Sequence, residues 1–423
     1  MGLKVLINGA GICGPALSIF LQRSNSSHEI TVVERSPSLR VAGQQIDLRA
    51  QGIAVMRKMG LLDTIKTKTV AEQGLTFIDA NGRTKAVFGK NDSGKGQQAF
   101  TSEYEIMRGD LVDILYQESL EVGRRVERDG NGRCVRYEFG KYATELRQDG
   151  SGVDVTFSDG TQSRFDLVVG ADGQGSRTRR MAFGKDLSEN VFKPLGAFVA
   201  FFSIPKGEGD GEMAKVFHMP EYRIVSTRTG DRPITQAYLA VLSDSEELKA
   251  STSKPVQEQK ALWKGLFEDC TWQRERLLEG LEKCDDFYAA RVGQVKTETW
   301  SSGHVALLGD AGYCPSLFTG MGTTASLVGA YVLAGELARH DGNIPAALES
   351  YNNVLQPFVT EIQKLIPGTP NILYPKTEWG IWFLHTALGV FTTLKIDKAI
   401  NMLLPEDKGG WKIPEYPELK LES

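Results

Sequence analysis

Cysteine is scarce and poorly placed for cross-linking. Cys13, Cys134, Cys270, Cys284 and Cys314 are five among 423 residues, and no two stand as Cys-x-x-Cys. An odd count without ligand spacing argues against a disulfide framework or a zinc site, and a reducing, cytoplasmic setting is expected. Histidines 218, 304 and 385 are isolated from one another, so no metal is expected and each reads as structural. An excess of positive charge is missing too: 49 Lys+Arg face 53 Asp+Glu, a net charge of −4, which gives no electrostatic reason to expect nucleic-acid binding. Long apolar runs are absent. No stretch of ~18 or more uninterrupted apolar residues occurs, so a spanning helix is not expected. The run after Lys4 is broken at Asn8-Gly9, too short for a signal peptide, so no secretory targeting is expected. Ser316 and Ser326 lie in no nucleophile-elbow context, which removes serine-hydrolase chemistry.

Glycine is abundant, at 45 residues, above the usual share of about 7%. Hydrophobic residues at 41% and charged residues at 24% fit a globular chain, and the length allows two to three domains at roughly 150 residues each.

The chain opens with a buried strand, Lys4 to Ile7, a glycine turn, a helix over Pro15–Arg23 and a second strand, Glu29 to Glu34. That order is the opening unit of a dinucleotide-binding fold. A helix is expected over 49–62. Strands Leu75–Ile78 and Thr84–Phe88 flank the turn signal Asn81-Gly82 and predict a hairpin, followed by a mobile loop over 89–98. A helix over about 108–121 precedes strand pairs to residue 170, with turns at 129–132 and Asp159-Gly160. Residues 180–250 are strand-rich, with strands at Tyr222–Ser226 and Gln236–Leu242. Helices are expected near 255–269 and 273–282, and a last buried strand over His304–Leu308. The helical patterns at 319–339, 344–365 and 377–403 complete the chain.

Three stretches carry chemistry. Gly9-x-Gly11-x-x-Gly14 follows a strand and opens a helix. Its first glycine makes the tight turn, the second admits a pyrophosphate, and the third packs helix on sheet. Glu34, followed by Arg35, ends the next strand 20 residues after Gly14, where an acid accepts ribose hydrogen bonds. Strand Asp166–Val169 ends in Gly170-Ala171-Asp172-Gly173, and His304–Leu308 ends in Gly309-Asp310-Ala311-Gly312. Either later stretch alone reads as a strand capped by a turn.

Together the three resemble the motifs of the para-hydroxybenzoate hydroxylase-type (class A) flavin monooxygenases over about residues 3–365, and Arg108 matches the arginine that opens a helix in that family. Ala42-Gly43-Gln44-Gln45-Ile46-Asp47-Leu48 is most similar to the tetracycline-inactivating monooxygenase and polyketide hydroxylase branch. The resemblance implies an α/β fold: a Rossmann-like FAD-binding domain (1–73, 99–179 and 284–365) interleaved with a mostly-β substrate domain (74–98 and 180–283), then a C-terminal helical segment, 366–423. It implies FAD as cofactor, NADPH or NADH as transient co-substrate, and O2. Gly9, Gly11 and Gly14 would face the pyrophosphate, Glu34 and Arg35 the adenosine ribose, and Arg108 the phosphates or ribose. Asp172 would take part in FAD and NAD(P)H handling, and Asp310 would bind the ribityl–pyrophosphate region. The turn Gly320-Met321-Gly322-Thr323 would face the flavin ring.

Substrate-site candidates are Gln45, Asp47, Tyr222, Arg223, Tyr313 and Phe318. In a strand, Tyr222 and Ile224 share a face opposite to Arg223, and only one set can line a pocket. The expected reaction is hydroxylation of an aromatic or polycyclic phenolic (polyketide- or tetracycline-like) substrate through a flavin C4a-hydroperoxide. Baeyer–Villiger oxidation, epoxidation or dehydrogenation on the same fold is the first alternative, and a non-catalytic flavin-binding, ligand-sequestering protein the second. The sequence departs from the family pattern at Tyr313, Leu317, Met321 and Thr324, which bear on active-site polarity. The apolar segment around Trp379, Trp382, Phe383 and Phe391 is expected to close the substrate side by packing across the two domains, rather than to lie on a membrane.

Overall fold

The computed structural model describes residues 2–40, 43–89, 104–130, 132–394 and 410–421. At its centre strand Lys4–Asn8 pairs in parallel with Glu29–Glu34 on one side and Leu167–Gly170 on the other. Val305–Leu307 and Arg136–Phe139 extend this sheet in parallel, and Ser301–Ser302 adds a short antiparallel edge. Continuous apolar strands suit a sheet covered on both faces. Val5 and Ile7 belong to a core with helices Cys13–Ser24, Arg108–Arg128, Gly322–Arg339 and Ile344–Ile362, whereas Leu6 packs against the antiparallel sheet of Ala143–Gln148, Val153–Phe157 and Gln162–Phe165. Helix Gly322–Arg339 is buried from Thr323 through Leu337, which accounts for its apolar and small residues on every side.

The second sheet has seven strands, in the order Tyr288–Val295, Phe192–Pro205, Ile234–Leu242, Arg223–Arg228, Met213–Met219, Gly74–Ile78, Thr84–Gly89. Period-2 alternation sorts its faces. Phe198, Ala200, Phe202 and Ile204 face helices Val256–Leu266 and Arg274–Lys283, while Ala197, Val199 and Phe201 face the opposite side. The Asn81-Gly82 hairpin forms as Gly74–Ile78 against Thr84–Gly89, with residues 90–98 of the expected loop outside the described residues. Strand Tyr288–Val295, which follows the expected boundary at 284, pairs with Phe192–Pro205 in this sheet.

Other boundaries shift for local reasons. The helix expected over 49–62 is split into Gln51–Lys58 and Leu62–Lys66, with Gly60 at φ +75° between them. The helix opened by Arg108 runs on to Arg128, and Glu246–Ser251 is an additional helix capped by Ser245. The turn expected at 129–132 has Gly130 at φ +66°, with Asn131 outside the described residues.

The C-terminal helix spans Glu378–Thr393, and residues 395–403 of the expected element lie outside the described residues. Its aromatic face is not covered as expected. Trp379, Trp382 and Phe383 are 78%, 59% and 69% exposed. The helix docks instead through Ile381, His385, Leu388 and Phe391, which recur at helical spacing and meet the outer strands of the seven-stranded sheet. The segment Gly410–Leu421 returns to the core of the first sheet, where Tyr416 and Leu419 are buried against helix Gly322–Arg339. Among the described residues no helix is long and apolar enough to cross a membrane.

Candidate active site

The three sequence motifs meet at the C-terminal ends of adjacent parallel strands, the usual binding edge of an open α/β sheet. Gly14 admits no side chain, since a Cβ there would lie 2.1 Å from the carbonyl oxygen of Gly9. Gly11 is different. Its missing Cβ would meet only the Arg108 guanidinium, 3.5 Å away, so this glycine keeps a path open rather than closing a contact. Glu34 braces the turn, accepting from the Ala10 N–H at 3.0 Å and the Ser36 N–H at 2.9 Å. Arg35 is exposed beside it.

At this edge one guanidinium and one carboxyl oxygen have no hydrogen-bond partner among the described residues. Arg108 begins its helix with its N–H on the Gln44 carbonyl at 3.0 Å, but its guanidinium has no hydrogen bond or ion pair among the described residues, and burial lowers its pKa. Asp310 carries a buried Oδ1 with no hydrogen-bond partner among the described residues, and burial pushes its carboxyl up. Orphaned buried polar atoms are rare and call for a ligand or water. The phosphates and ribityl hydroxyls of FAD match this donor–acceptor set, so the residues present fit the cofactor.

Asp172 is placed differently. It accepts from Ser176 Oγ at 2.5 Å, from the Arg177 and Thr178 N–H groups at 2.8 and 3.0 Å, and from Thr178 Oγ1 at 3.1 Å. The carboxylate is occupied in holding the start of helix Arg177–Phe183. The buried Arg179, missed by sequence reasoning, ties the second motif to the third through the carbonyls of Gln174 at 2.8 Å and Ala311 at 2.7 Å. Gly320 sits at φ +64°, Met321 is buried, and Gly322–Thr323 start the long helix with no side-chain cap on its first N–H groups.

A cavity of about 220 Å³ lies between the seven-stranded sheet, Leu317 and Tyr374. Val199, Ile224, Ala240 and Val292 form much of its wall, and Ser226, Arg228 and Tyr238 bring polar atoms to it. Phe318 packs beside it, its ring 6.3 Å from that of Tyr374. A larger groove, about 970 Å³, runs between the C-terminal helix and strand Thr84–Gly89, and no cofactor-motif residue lines it.

Two substrate-site expectations are corrected. Arg223 points away from the cavity into the helical layer, donating to Asp269 at 2.5 and 2.8 Å and to the Leu266 carbonyl at 2.7 Å. Tyr313 is fully buried in the first domain's core, where its hydroxyl lies 3.0 Å from that of Tyr351 and its ring packs edge-on to Trp300. Tyr222 precedes the strand, at φ +62° in a turn, so the face shared with Ile224 is represented in the cavity by Ile224 and Ser226.

Gln45 and Asp47 belong to a buried polar network that composition did not announce. Gln45 Nε2 donates to Glu105 at 2.7 Å and to Glu72 at 3.2 Å, and its N–H donates to Gln236 Oε1 at 2.6 Å. Gln236 Oε1 also accepts from the Tyr238 hydroxyl at 3.0 Å. Arg228 donates twice to Glu72, at 3.0 and 2.6 Å, and once to Glu105. Asp47 stands directly across the two-stranded ribbon from Glu105. Burial pushes Glu105 up to about 10, so it keeps its proton. Burial works the same way on Asp47, but Arg49 and Arg228 outweigh it and hold that carboxyl below its ordinary value. The available signal was polar residues at inward positions of apolar strands, such as Glu105 in Tyr104-Glu105-Ile106.

Comparison with known proteins agrees with this geometry. Residues 2–364 match the FAD binding domain family. The chain is 44% identical to the FAD-dependent monooxygenase asL6 of Sarocladium schorii over 427 residues, covering 100% of both chains. It is 34% identical to a flavin-dependent monooxygenase of Legionella longbeachae serogroup 1 (strain NSW150) over 363 residues, 86% of this chain and 87% of the relative. The crystal structure of the tetracycline destructase Tet(51) superposes with a TM-score of 0.76 at 29% identity, covering 98% of this chain and 100% of the other. A fingerprint turn, two further motifs on one sheet edge and relatives spanning the whole chain lead to one assignment: the chain belongs to the FAD binding domain family, among its class A FAD-dependent monooxygenases.

Proposed function

We propose that the protein hydroxylates an aromatic or polycyclic phenolic substrate, polyketide- or tetracycline-like, using NADPH or NADH and O2. The observation that carries this reading is the cavity beside the 317–323 turn, whose apolar wall is interrupted by Arg228 and Tyr238. Arg228 keeps its charge despite burial, with Glu72 bonded to it twice, and its Nη1 has no partner among the described residues. A phenolate or enolate oxygen seated on that cation keeps its negative charge, which activates its own ring and makes a strong protein base unnecessary. Val199, Ile224 and Val292 then sandwich a planar body and exclude water.

Arg108, Asp310 and the glycine turn would hold the FAD phosphates and ribityl chain, with the N–H groups of Gly322 and Thr323 toward the ring. When bound, FAD accepts hydride from the nicotinamide and activates O2. In this reading the interleaved substrate module covers this edge, and the pairing of Tyr288–Val295 with Phe192–Pro205 supports extending its second segment through Val295. The test is to screen phenols and polycyclic polyketides for stimulated NAD(P)H oxidation with a product heavier by 16 mass units. Steady turnover that yields only a product lighter by 2 overturns hydroxylation, and a lack of stimulated turnover across the screen favours the ligand-sequestering alternative.

A further inference from the structure

After the ribbon strand Gln45–Asp47 the chain passes directly beside the start of helix Gly322–Arg339. The Thr324 hydroxyl donates to the Arg49 carbonyl at 2.9 Å. Gly52 packs so tightly on Thr324 that a Cβ there would lie 2.8 Å from its hydroxyl. The backbone at Arg49 is therefore fixed to the first turn of the helix. Its side chain is fixed as well. Nη2 donates to Asp47 at 2.6 Å, and Cζ lies 3.7 Å from where a Cβ on Gly320 would stand. Asp47 is itself set against Glu105 across the ribbon, and Glu105 against Arg228 at the cavity.

The turn's own side chains bring no charge to this place. Met321 is apolar and buried, and Thr324 has its hydroxyl engaged on Arg49. A reduced flavin carries a negative charge, and uncapped helix N–H groups stabilise it only by partial charges. A full cation held 3.7 Å from the Gly320 Cβ position supplies what that turn lacks.

We propose that Arg49 is a positioning residue for the flavin, a cation clamped by Asp47 against the 320–324 turn that favours the reduced, anionic ring. The proposal rests on the reading that this turn faces the flavin. Its consequence is electrostatic, so replacing the cation and replacing its anionic partner must act in opposite directions. A packing role would move both the same way.

The experiment titrates FAD-loaded enzyme with dithionite beside a reference dye. Each ring takes up two electrons from dithionite and one proton from solvent and gains one negative charge. Arg49→Met is expected to shift the oxidised–reduced equilibrium at least tenfold toward the oxidised form, about 30 mV more negative for two electrons. Arg49→Lys should stay near wild type, and Asp47→Asn should move the potential positive. A wild-type potential in fully loaded Arg49→Met overturns the proposal, as do shifts of the same sign in Arg49→Met and Asp47→Asn. If Arg49→Met yields no folded, loaded protein, Asp47→Asn decides: a positive shift supports the clamp, and no shift or a negative one overturns it. Failure of the wild-type protein to hold FAD would instead overturn the reading of the turn itself.

Discussion

His218 and His385 meet ring to ring, with Nδ1 of the first 3.0 Å from Nε2 of the second, and so join the seven-stranded sheet to the C-terminal helix. His218 also bonds through Nε2 to the Leu373 carbonyl at 3.0 Å, next to the cavity residue Tyr374, and stacks on Phe77. Burial and the neighbouring His385 lower His218 to about 4, and burial with Lys85 lowers His385, against a small opposing effect of Asp79. A depressed histidine favours the docked helix above the unfolded value of about 6.5 and loses that contribution as pH falls through the folded one. Protection of Glu378–Thr393 against hydrogen exchange, taken relative to the intrinsic rate at each pH, should therefore fall between about pH 6.5 and 4 before that of the first sheet does. Equal protection of that helix at pH 7 and pH 4.5 would remove the latch.

Asp172 and Asp310 occupy matching places in their motifs yet should answer differently to Ala. Asp310→Ala deletes a buried oxygen that has no partner among the described residues, so the fold should keep its melting temperature while FAD retention falls roughly 10- to 150-fold, the worth of a charged hydrogen bond. Asp172→Ala removes the acceptor of four hydrogen bonds at a helix start and should cost about 1–2 kcal/mol of stability with FAD retained. Thermal melts and bound-flavin absorbance on the two purified variants separate these outcomes.

The two arginines of strand Arg223–Arg228 divide stability from substrate recognition. Arg223→Ala breaks a pair with the exposed Asp269 and should leave KM unchanged. Arg228→Lys keeps a cation over Glu72 but loses the guanidinium fork, so KM for an acidic phenol should rise about tenfold or more. Removing the charge altogether is a poorer test, because an unpaired buried Glu72 would cost about 3–5 kcal/mol. Steady-state kinetics with a phenolic and a methyl-ether substrate would show whether the loss follows the acidic oxygen.

What the sequence disclosed follows from how local each signal is. Gly9, Gly11, Gly14 and Glu34 act within one β-turn-α-β unit, so their spacing carried their geometry. The Asn81-Gly82 turn fixed its own hairpin for the same reason. Arg228, Glu72, Glu105 and Gln45 come from four separate segments, and nothing in any one of them reports the others. Arg223 stayed an open candidate beside Tyr222 because alternation gives two faces without saying which is inward. The exposed Trp379, Trp382 and Phe383 show the limit of arguing from apolarity: a helix needs only one stripe to dock, and here Ile381, His385, Leu388 and Phe391 supply it.

Tyr313 is one of the departures from the family pattern, and its placement makes a stability prediction. A Cβ on Gly329 would lie 1.8 Å from the Tyr313 hydroxyl and 3.0 Å from its Cζ, with the ring held by Trp300 and Tyr351 and unable to retreat. Gly329→Ala should therefore destabilise the protein by about 1–3 kcal/mol, the usual penalty for overpacking, even though Ala is the better helix former. Tyr313→Phe removes the hydroxyl that clashes, at the cost of leaving Tyr351 its remaining bond to the Leu307 carbonyl at 3.0 Å. The double variant should then be more stable than Gly329→Ala alone, a coupling that a double-mutant cycle in urea measures directly. Additive effects, with no recovery in the double variant, would mean that the Tyr313 hydroxyl does not occupy the space over Gly329.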